Sequence, residues 1–479
     1  VGLPDSAIKE SSFRIAAALK NNSYQFPGKK IIVNMAPADL RKEGSAYDLT
    51  IAVGILAASS QITSKEIENY VIMGELSLDG NLQPIKGALS IAIKAKEEGF
   101  KGVLIPIQNV KEAAIVEGLD VYGITNVTEV IDFFEGRGNL VPTIIDTTEE
   151  FSKTLDFPEH DFADVKGQES IKRCMEIAAA GGHNIILIGP PGSGKTMIAK
   201  RLPSILPPMT MREALETTKI HSVAGKTKDV GLMAQRPFRS PHHTASSVSL
   251  VGGGSYPQPG EISLAHNGVL FLDELPEFKR EVLEVMRQPL EDREVTISRA
   301  KFTITYPSSF MLVASMNPSP GGYFNDPNAP VSSSPMEMQR YLSKISGPLL
   351  DRIDIHIEVT PVPFEKLTET RKAESSVEIR KRVTKAREIQ SERFEHLDYI
   401  HYNAQMSSKL IREFCALDEV SLQLLKTAME RLNLSARAYD RILKVSRTIA
   451  DLENSESIQS HHIAEAIQYR SLDREGWLG

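Results

Sequence analysis

The segment with the clearest chemical meaning combines glycines with a lysine and a threonine. It reads Gly-Pro-Pro-Gly-Ser-Gly-Lys-Thr over 189–196 and follows an apolar run at 184–188. Glycines let the backbone wrap closely around an anion and turn amide N–H groups toward it. In this pattern Lys195 is expected to hold the β- and γ-phosphates of ATP, and Thr196 a Mg²⁺ ion. The predicted nucleotide contacts are Gly189, Pro190, Pro191, Gly192, Ser193, Gly194, Lys195, Thr196 and Met197.

Two further polar segments each follow an apolar, strand-like run. Asp273 and Glu274 follow the run 268–272, and Asn317 follows the run 311–316. Buried strands would deliver these side chains to the phosphate end of a sheet. Asp273 is then expected to complete the Mg²⁺ shell, Glu274 to polarise the attacking water, and Asn317 to orient that water. Together with the phosphate loop, these residues predict an ATPase.

Such a site requires strands that alternate with helices. Upstream, strand-like runs at 30–35, 70–74 and 102–106 alternate with helical patterns at 49–59 and 89–98. A charged helix is predicted at about 369–393, and a solvated connecting helix is the favoured interpretation of it. The predicted organisation is an α/β domain over 1–138, a linker over 139–160, an α/β core over 161–363, a connecting helix over 364–406 and a helical domain over 407–479.

Composition narrows the class of protein. The chain has 479 residues, of which 41% are hydrophobic and 24% charged, enough for three domains that each bury a core. No apolar run approaches the roughly 20 residues of a membrane span. The two cysteines, Cys174 and Cys415, exclude a disulfide scaffold and fit a reducing cytoplasm. A net charge of −7 argues against a protein that coats nucleic acid through an overall basic surface, but it is compatible with a local basic channel.

Two insertions carry cations that could contact nucleic acid. The insertion at 220–260 contains Lys226 and Lys228, and the runs 295–298 and 302–305 alternate like the strands of a hairpin. Arg299 and Lys301 would lie at the tip of that hairpin. Such tips grip phosphates without reading bases, although an exposed hairpin with solvated charges is the alternative. The four predicted DNA contacts are Lys226, Lys228, Arg299 and Lys301.

His242 and His243 form a second polar feature of the first insertion. Neither a cysteine nor an acidic residue lies nearby in the sequence. A structural role or a place in a pore loop is therefore favoured over a metal site.

The order of phosphate loop, Asp-Glu strand, Asn strand and helical tail resembles an AAA+ ATPase. The segment 347–354 resembles the one that supplies the arginine finger. This resemblance implies that Arg352 reaches the γ-phosphate bound by a neighbouring subunit, so that the protein must form a ring. The alternative is an intrachain salt bridge from Arg352 to Asp351 or Asp354.

The helical tail carries a second arginine segment. Residues 435–441 resemble the sensor-2 segment of AAA+ proteins. The resemblance implies that Arg437 contacts nucleotide from the helical lid. Arg441 lies one turn later and is the competing candidate.

Longer segments resemble one family in particular. Residues 36–45, 237–244 and 259–268 are similar to the magnesium-chelatase-like ATPases of the ComM/YifB type. The resemblance spans essentially the whole chain. It implies an AAA+ P-loop module with a C-terminal helical lid, preceded by a Lon-protease-like (ribosomal S5-like) α/β domain. Family members begin earlier than Val1, so the first strands of that domain are expected to be missing.

The family's function is the expectation for this chain. The resemblance implies a cytoplasmic homo-hexamer that uses ATP and Mg²⁺ to move on branched or single-stranded DNA without sequence preference. Such a motor would promote branch migration in homologous recombination and natural transformation. A chelatase-type motor that remodels a protein partner for metal insertion is the alternative. An ATP-dependent Ser/Lys protease is a third hypothesis.

The sequence departs from the family pattern at two places. Family members commonly carry two Cys-x-Cys pairs after the sensor asparagine, whereas 319–322 and 331–335 contain no cysteine, so no zinc site is predicted. Ser45 resembles the Lon nucleophile, but the lysine position matches Leu89 or Ile91, and Lys86 is out of register. A Ser/Lys pair needs the amine beside the hydroxyl. Ser45 is therefore expected to be a structural turn residue.

Overall fold

The computed structural model describes residues 6–36, 42, 44–147, 151, 160–227, 230–254, 257–299, 302–320, 334–362, 366, 373–397 and 400–470. The predicted DNA contacts Lys228 and Lys301 lie outside these ranges. So do residues 37–41 and 43 of the N-terminal family segment and most of 319–335. Two compact units make up the chain: Val1–Leu155 with Thr210–Ala234, and Asp156–Met209 with Gln235–Gly479.

The regular elements of the described residues are numbered here in chain order. The strands are β1 (Tyr70–Ile72), β2 (Glu75–Leu76), β3 (Leu82–Gln83), β4 (Gly102–Pro106), β5 (Asp120–Ile124), β6 (Ile185–Ile188), β7 (Phe238–Arg239), β8 (Gly252–Gly253), β9 (Gln258–Pro259), β10 (Val269–Leu272), β11 (Glu294–Arg299), β12 (Phe302–Pro307), β13 (Met311–Met316) and β14 (Ile355–Glu358). The helices are α1 (Ser6–Asn21), α2 (Asp48–Ala58), α3 (Ala88–Glu97), α4 (Val110–Ala113), α5 (Val127–Phe134), α6 (Glu169–Gly181), α7 (Lys195–Ile205), α8 (Met211–Val223), α9 (Ser247–Val251), α10 (Glu261–Leu264), α11 (Arg280–Glu284), α12 (Arg287–Asp292), α13 (Pro335–Leu342), α14 (Gly347–Leu350), α15 (Ser376–Arg393), α16 (Ser408–Phe414), α17 (Glu419–Arg431), α18 (Ala436–Leu452) and α19 (Ser460–Gln468).

The first unit is built around a parallel sheet with the strand order β1-β4-β5. Every residue of β4 is buried, as expected for a parallel strand that is covered on both faces. The predicted helices at 49–59 and 89–98 and the predicted strands at 70–74 and 102–106 are confirmed by α2, α3, β1 and β4.

The prediction of a strand at 30–35 is wrong. The structure has no regular element there, and the side chain of Ile32 is 69% exposed. A strand is stable only when its backbone groups pair with a neighbour and one face is buried. No strand among the described residues pairs with this segment, so its apolar run does not produce a strand.

Helix α8 belongs to the first unit although it follows α7 of the second in sequence. The amide of Gly87, which precedes α3, donates to the carbonyl of Ser222 in α8 at 3.0 Å. Beyond α8, the hydroxyl of Thr227 donates to the buried carboxylate of Glu112 at 2.7 Å. The chain thus leaves the second unit after Met209 and rejoins it at Gln235.

The second unit contains a five-stranded sheet with the order β14-β6-β13-β10-β7, in which all neighbours are parallel. Strands β6, β10 and β13 are buried at every position, because apolar side chains cover both faces of the sheet. In a parallel sheet all carboxyl ends lie at one edge. That edge is where open α/β sheets bind ligands.

A helical region follows the sheet, as the sequence predicts for 407–479. The predicted charged helix corresponds to α15, but it is not a solvated connector. Ile379, Val383 and Ala386 are buried in the main core of the unit, and α15 packs against α6, α7 and α18. Only three apolar side chains are needed for this contact, which explains why charge dominates the sequence pattern.

Burial of histidines makes the stability of the second unit depend on pH. His356 on β14 is 1% exposed, and burial lowers the pKa of its imidazole well below the usual value. Below about pH 6.5 the unfolded chain binds a proton that the folded chain excludes, so the free energy of unfolding falls as pH falls. We expect a loss of up to about 1.4 kcal/mol per pH unit from this residue.

The measurement is urea unfolding between pH 7.5 and 5. We expect His356→Gln to be less sensitive to pH than the unsubstituted protein, while substitution of the exposed His396 by Gln leaves the pH dependence unchanged. Equal slopes for all three proteins would contradict the assignment.

Candidate nucleotide-binding site

The loop 189–196 follows β6 and has a conformation that requires glycine. A Cβ on Gly189 would lie 2.2 Å from the carbonyl oxygen of Val359. Gly192 and Gly194 have φ angles of 78° and 90°, in the left-handed region that favours glycine. The amide of Gly189 also donates to the carbonyl of Met316 at 3.1 Å. The loop is therefore fixed at the carboxyl edge of the sheet.

Lys195 is the first residue of α7, and its side chain turns back into this loop. Its Nζ donates to the carbonyls of Gly189 at 2.6 Å and Pro190 at 3.0 Å, and to Oδ1 of Asn317 at 3.2 Å. Burial lowers the pKa of Lys195, and the nearby charges of Asp273 and Glu274 oppose this shift. The structure thus brings together Lys195 and Asn317, which lie far apart in the sequence.

Thr196 and Asp273 form the second contact of the site. The Thr196 hydroxyl donates to Oδ2 of Asp273 at 2.7 Å, and the Ser315 hydroxyl donates to Oδ1. Hydroxyl and carboxylate oxygens are ligands that suit Mg²⁺. Sequence reasoning missed Ser315. Residues two apart on a strand share a face, so its position relative to Asn317 is the signal that could have found it.

Glu274 has an unusual backbone conformation. Its φ of 53° lies in the left-handed region, which a residue with a side chain adopts only when its surroundings impose it. The side chain is 54% exposed, and Oε2 lies 3.6 Å from Nδ1 of His243. His243 also stacks on His242, with 4.1 Å between ring centroids. The sequence indicated no acidic partner for this histidine pair; the folded chain supplies Glu274, because β7 and β10 are neighbours.

The loop and its surroundings fit a phosphate group and a divalent cation. The hydroxyl oxygen of Ser193 is buried and has no hydrogen-bond partner among the described residues. The ammonium of Lys195 is directed at loop carbonyls, within reach of any anion that the loop binds. Thr196 and Asp273 supply hard oxygen atoms beside it. Buried polar groups without partners are exceptional in folded proteins, and a bound phosphate would supply the partner that the Ser193 hydroxyl lacks.

Arg352 lies where the strands begin, at the opposite edge of the sheet from the phosphate loop, which follows the carboxyl end of β6. It precedes β14, and its carbonyl accepts a bond from Asn184 Nδ2 at 2.9 Å, just before β6 begins. Strands β14 and β6 are parallel, with Ile355 opposite Ile185. The guanidinium donates to the carbonyl of Pro348 at 2.7 Å and to the carboxylate of Glu291. The partner in this ion pair is therefore Glu291, and not Asp351 or Asp354, the partners of the alternative interpretation.

The two arginines of the sensor-2 segment have different environments. Arg437 is 69% exposed and pairs with Asp351, next to Arg352. Arg441 is 24% exposed and lies 3.0 Å from Oδ1 of Asp354, whose carboxylate is 2% exposed. The other oxygen of Asp354 accepts from His183 at 2.9 Å. Arg441 is thus committed to a buried ion pair, whereas Arg437 remains at the surface.

The two DNA-contact candidates among the described residues, Arg299 and Lys226, lie on separate elements. Arg299 is the last residue of β11, which pairs with β12 from Glu294 opposite Pro307 to Arg299 opposite Phe302. The predicted hairpin is confirmed by this pairing. Arg299 is exposed, and its Nε lies 3.4 Å from the carbonyl of Gly254. Lys226 follows α8 in the first unit and is also exposed.

Ser45 has a carboxylate as its partner. Its hydroxyl donates to Glu75, and Lys86 lies elsewhere, with its aliphatic carbons beside Gly225. Leu89, one of the two positions that match the expected lysine, is fully buried. These contacts fit a structural role for Ser45 rather than a Ser/Lys nucleophile.

A histidine cluster in the helical region resembles a metal site in composition only. Ligand atoms of Glu453, His461 and His462 lie within 4.8 Å of one another. However, Nδ1 of His462 accepts the backbone N–H of Gln459 at 2.9 Å. That bond leaves the proton on Nε2, which donates to Glu453 at 3.1 Å. The cluster is a helix-capping arrangement.

The parallel sheet, the phosphate loop at its carboxyl edge and the helical region that follows define the class: the second unit is a P-loop module of the AAA+ type. Three family models match the chain: Magnesium chelatase, subunit ChlI, at residues 161–367; Subunit ChlI of Mg-chelatase at 1–109; and Magnesium chelatase, subunit ChlI C-terminal, at 373–470.

Full-length relatives agree with these models. The chain is 45% identical to the Competence protein ComM of Haemophilus influenzae, over 99% of this chain and 92% of that protein. It is 44% identical to the Uncharacterized protein YifB of Escherichia coli, over 99% and 91%. The chain belongs to the magnesium-chelatase-like AAA+ family of the ComM/YifB type.

The chain has a second, weaker similarity. A Lon protease of Mycoplasma mycoides is 31% identical over 27% of this chain and 17% of its own length. Among the described residues, none of the helices has the length and apolarity that crossing a membrane requires.

Proposed function

We propose that this protein is a Mg²⁺-dependent ATPase. The convergence of Lys195, Thr196, Asp273 and Asn317 at one edge of the sheet supports this proposal. Lys195 binds the β- and γ-phosphates, and Thr196 and Asp273 hold the ion, which neutralises phosphate charge when bound. Glu274, half-exposed beside them, accepts a proton from the attacking water.

The active assembly is a ring, and the hexamer expected from the family is its proposed form. The observation that carries this proposal is the position of Arg352. The five-residue path from Asn184 to Gly189 spans about 16 Å at about 3.3 Å per strand residue. An arginine at the Asn184 end does not reach the phosphate loop of its own chain. It is available instead to the site of an adjacent subunit, and the exposed Arg437 pairs with Asp351, the residue next to it.

The work done with ATP is movement on DNA, in line with the competence protein named among the relatives. The hairpin β11–β12 carries the exposed cation Arg299 and leads directly into β13, which ends at Asn317. Contact with phosphates through such a hairpin grips DNA of any sequence. The proposed substrate is branched DNA. On this substrate the protein promotes branch migration in recombination and transformation.

A chelatase-type motor that remodels a protein partner is the second candidate. All three matching family models carry the name of a magnesium chelatase subunit, and this observation favours it. ATP hydrolysis and unwinding of a four-way DNA junction, measured in the same preparation, separate the two candidates. Stimulation of hydrolysis by the junction supports the DNA motor; failure of the junction to bind or to stimulate supports the protein-remodelling motor.

The hairpin cations are the most direct test of DNA contact. We expect Arg299→Ala combined with Lys301→Ala to weaken binding to single-stranded DNA and to reduce the dependence of binding on salt. The reason is that DNA releases about one counterion fewer on binding for each protein cation that is lost. Basal ATP hydrolysis should be unchanged. Removal of two exposed cations elsewhere, Lys381→Ala with Arg412→Ala, is the matched control. Binding by the hairpin variant equal to that of the control would exclude the hairpin from the DNA interface.

A further inference from the structure

The arginine Arg352 is connected to the hairpin β11–β12 at the residues where the hairpin begins. Its guanidinium donates to Glu291 on α12, which ends at Asp292, and β11 begins at Glu294. Arg293, the residue between them, has a left-handed φ of 57°. The turn into the hairpin therefore starts directly after the carboxylate that holds Arg352.

A second connection comes from the strand that follows the hairpin. The carbonyl of Arg352 accepts a bond from Nδ2 of Asn184 at 2.9 Å, and Oδ1 of the same Asn184 accepts the amide of Leu312 at 2.8 Å. Leu312 lies in β13, whose end carries Asn317. One side chain thus joins Arg352 to the strand that leaves the hairpin and enters the nucleotide site.

The base of the hairpin is held firmly between these two connections. The amide of Ser308 donates to the carbonyl of Arg293 at 2.7 Å and closes the base. The Arg293 guanidinium lies 5.9 Å from the ring centroid of Tyr402. The two strands are paired along their full length, so the base is continuous with the rest of the hairpin.

We infer that Glu291 is a positioning residue for Arg352 and connects this arginine to the base of the hairpin. The Glu291 side chain is 65% exposed and that of Arg352 19% exposed, so their ion pair contributes little to folding. What the pair does is orient the guanidinium, because one of its nitrogens donates to Glu291 while the other donates to the carbonyl of Pro348, and two anchored donors fix the plane of the group. The inference rests on the proposed action of Arg352 on the nucleotide of an adjacent subunit.

Mixtures of full-length variants test it. A Lys195→Ala chain keeps the arginine but is expected to bind ATP at least about 10-fold more weakly. An Arg352→Ala chain keeps the phosphate loop but lacks the arginine. Their mixture is expected to recover ATP hydrolysis. Glu291→Gln in the Lys195→Ala chain should reduce that recovered rate about tenfold, since small misplacements of a positioned group are costly. Glu291→Gln in the Arg352→Ala chain should have no effect, because its partner is already absent.

Three controls accompany the mixtures. Glu291→Asp keeps the charge and is expected to restore part of the rate. Glu378→Gln, which removes an exposed carboxylate that pairs with Lys381 at 2.8 Å, should be silent in either chain. In unmixed protein, Glu291→Gln should lower kcat with little change in KM for ATP or in affinity for a single-stranded oligonucleotide.

The outcomes are distinguishable. Equal losses from both placements of Glu291→Gln, or no loss from either, overturn the inference, because only the chain that donates Arg352 should be affected. If the parent mixture recovers nothing although the Arg352→Ala chain binds ATP, the shared site of the proposed function fails, and the positioning role falls with it.

Discussion

Glu274→Gln is expected to bind ATP and assemble normally but to lose turnover by at least about 100-fold, because an amide does not accept the proton of the attacking water. The substitution preserves size and leaves the backbone bonds of residue 274 to Asp273 and Ser315 in place. The strained φ of 53° is also compatible with Gln, which is similar in shape. Steady-state hydrolysis and binding of a fluorescent ATP analogue measure the two properties separately.

A nearby carboxylate provides the control. Glu277 lies in the turn after Glu274, and its carboxylate is 3.4 Å from Lys344 at the surface. Glu277→Gln makes the same chemical change without touching the site, so it should retain turnover. Unchanged hydrolysis in Glu274→Gln would remove this residue from its proposed role, whereas loss of ATP binding would show that the substitution disturbs the loop itself.

Lys195→Ala is expected to weaken ATP binding at least about 10-fold, because a hydrogen bond to a charged group contributes about 1.5–3 kcal/mol. Within the described part of the chain, this ammonium bonds with neutral oxygen acceptors, the carbonyls of Gly189 and Pro190 and the amide of Asn317. Phosphate oxygens offer it a stronger partner. Titration with an ATP analogue gives the affinity directly.

Lys200→Ala is the matched control for this substitution. Lys200 lies on the same helix, α7, but is exposed. The two variants therefore share the loss of one positive charge and differ in the position of that charge. Equal ATP affinities for both would contradict the proposed role of Lys195.

The local parts of the site follow from short sequence patterns. Left-handed glycines at 192 and 194, a lysine that begins a helix, and polar residues after buried strands are recognisable because each depends on neighbours within a few residues. Parallel pairing of β6, β10 and β13 then brings their ends together. The contact between Lys195 and Asn317 follows from this pairing.

Other features depend on residues that are distant in sequence. The partner of Arg352 is Glu291, 61 residues away, and neither residue type nor spacing distinguishes it from Asp351 or Asp354. The same holds for Arg441, which pairs with the buried Asp354, and for His243, which β7 brings beside Glu274. These contacts arise only when strands and helices pack.

The sequence by itself determined that this chain has a phosphate loop, the carboxylates that accompany it, and the family to which it belongs, because backbone conformation and strand ends are encoded locally. Only the tertiary structure decided that the segment 30–35 forms no strand, that α8 belongs to the first unit, and that Arg352 lies at the far edge of the sheet from its own loop. The reason is physical: strand pairing and core packing depend on partners that no local pattern specifies.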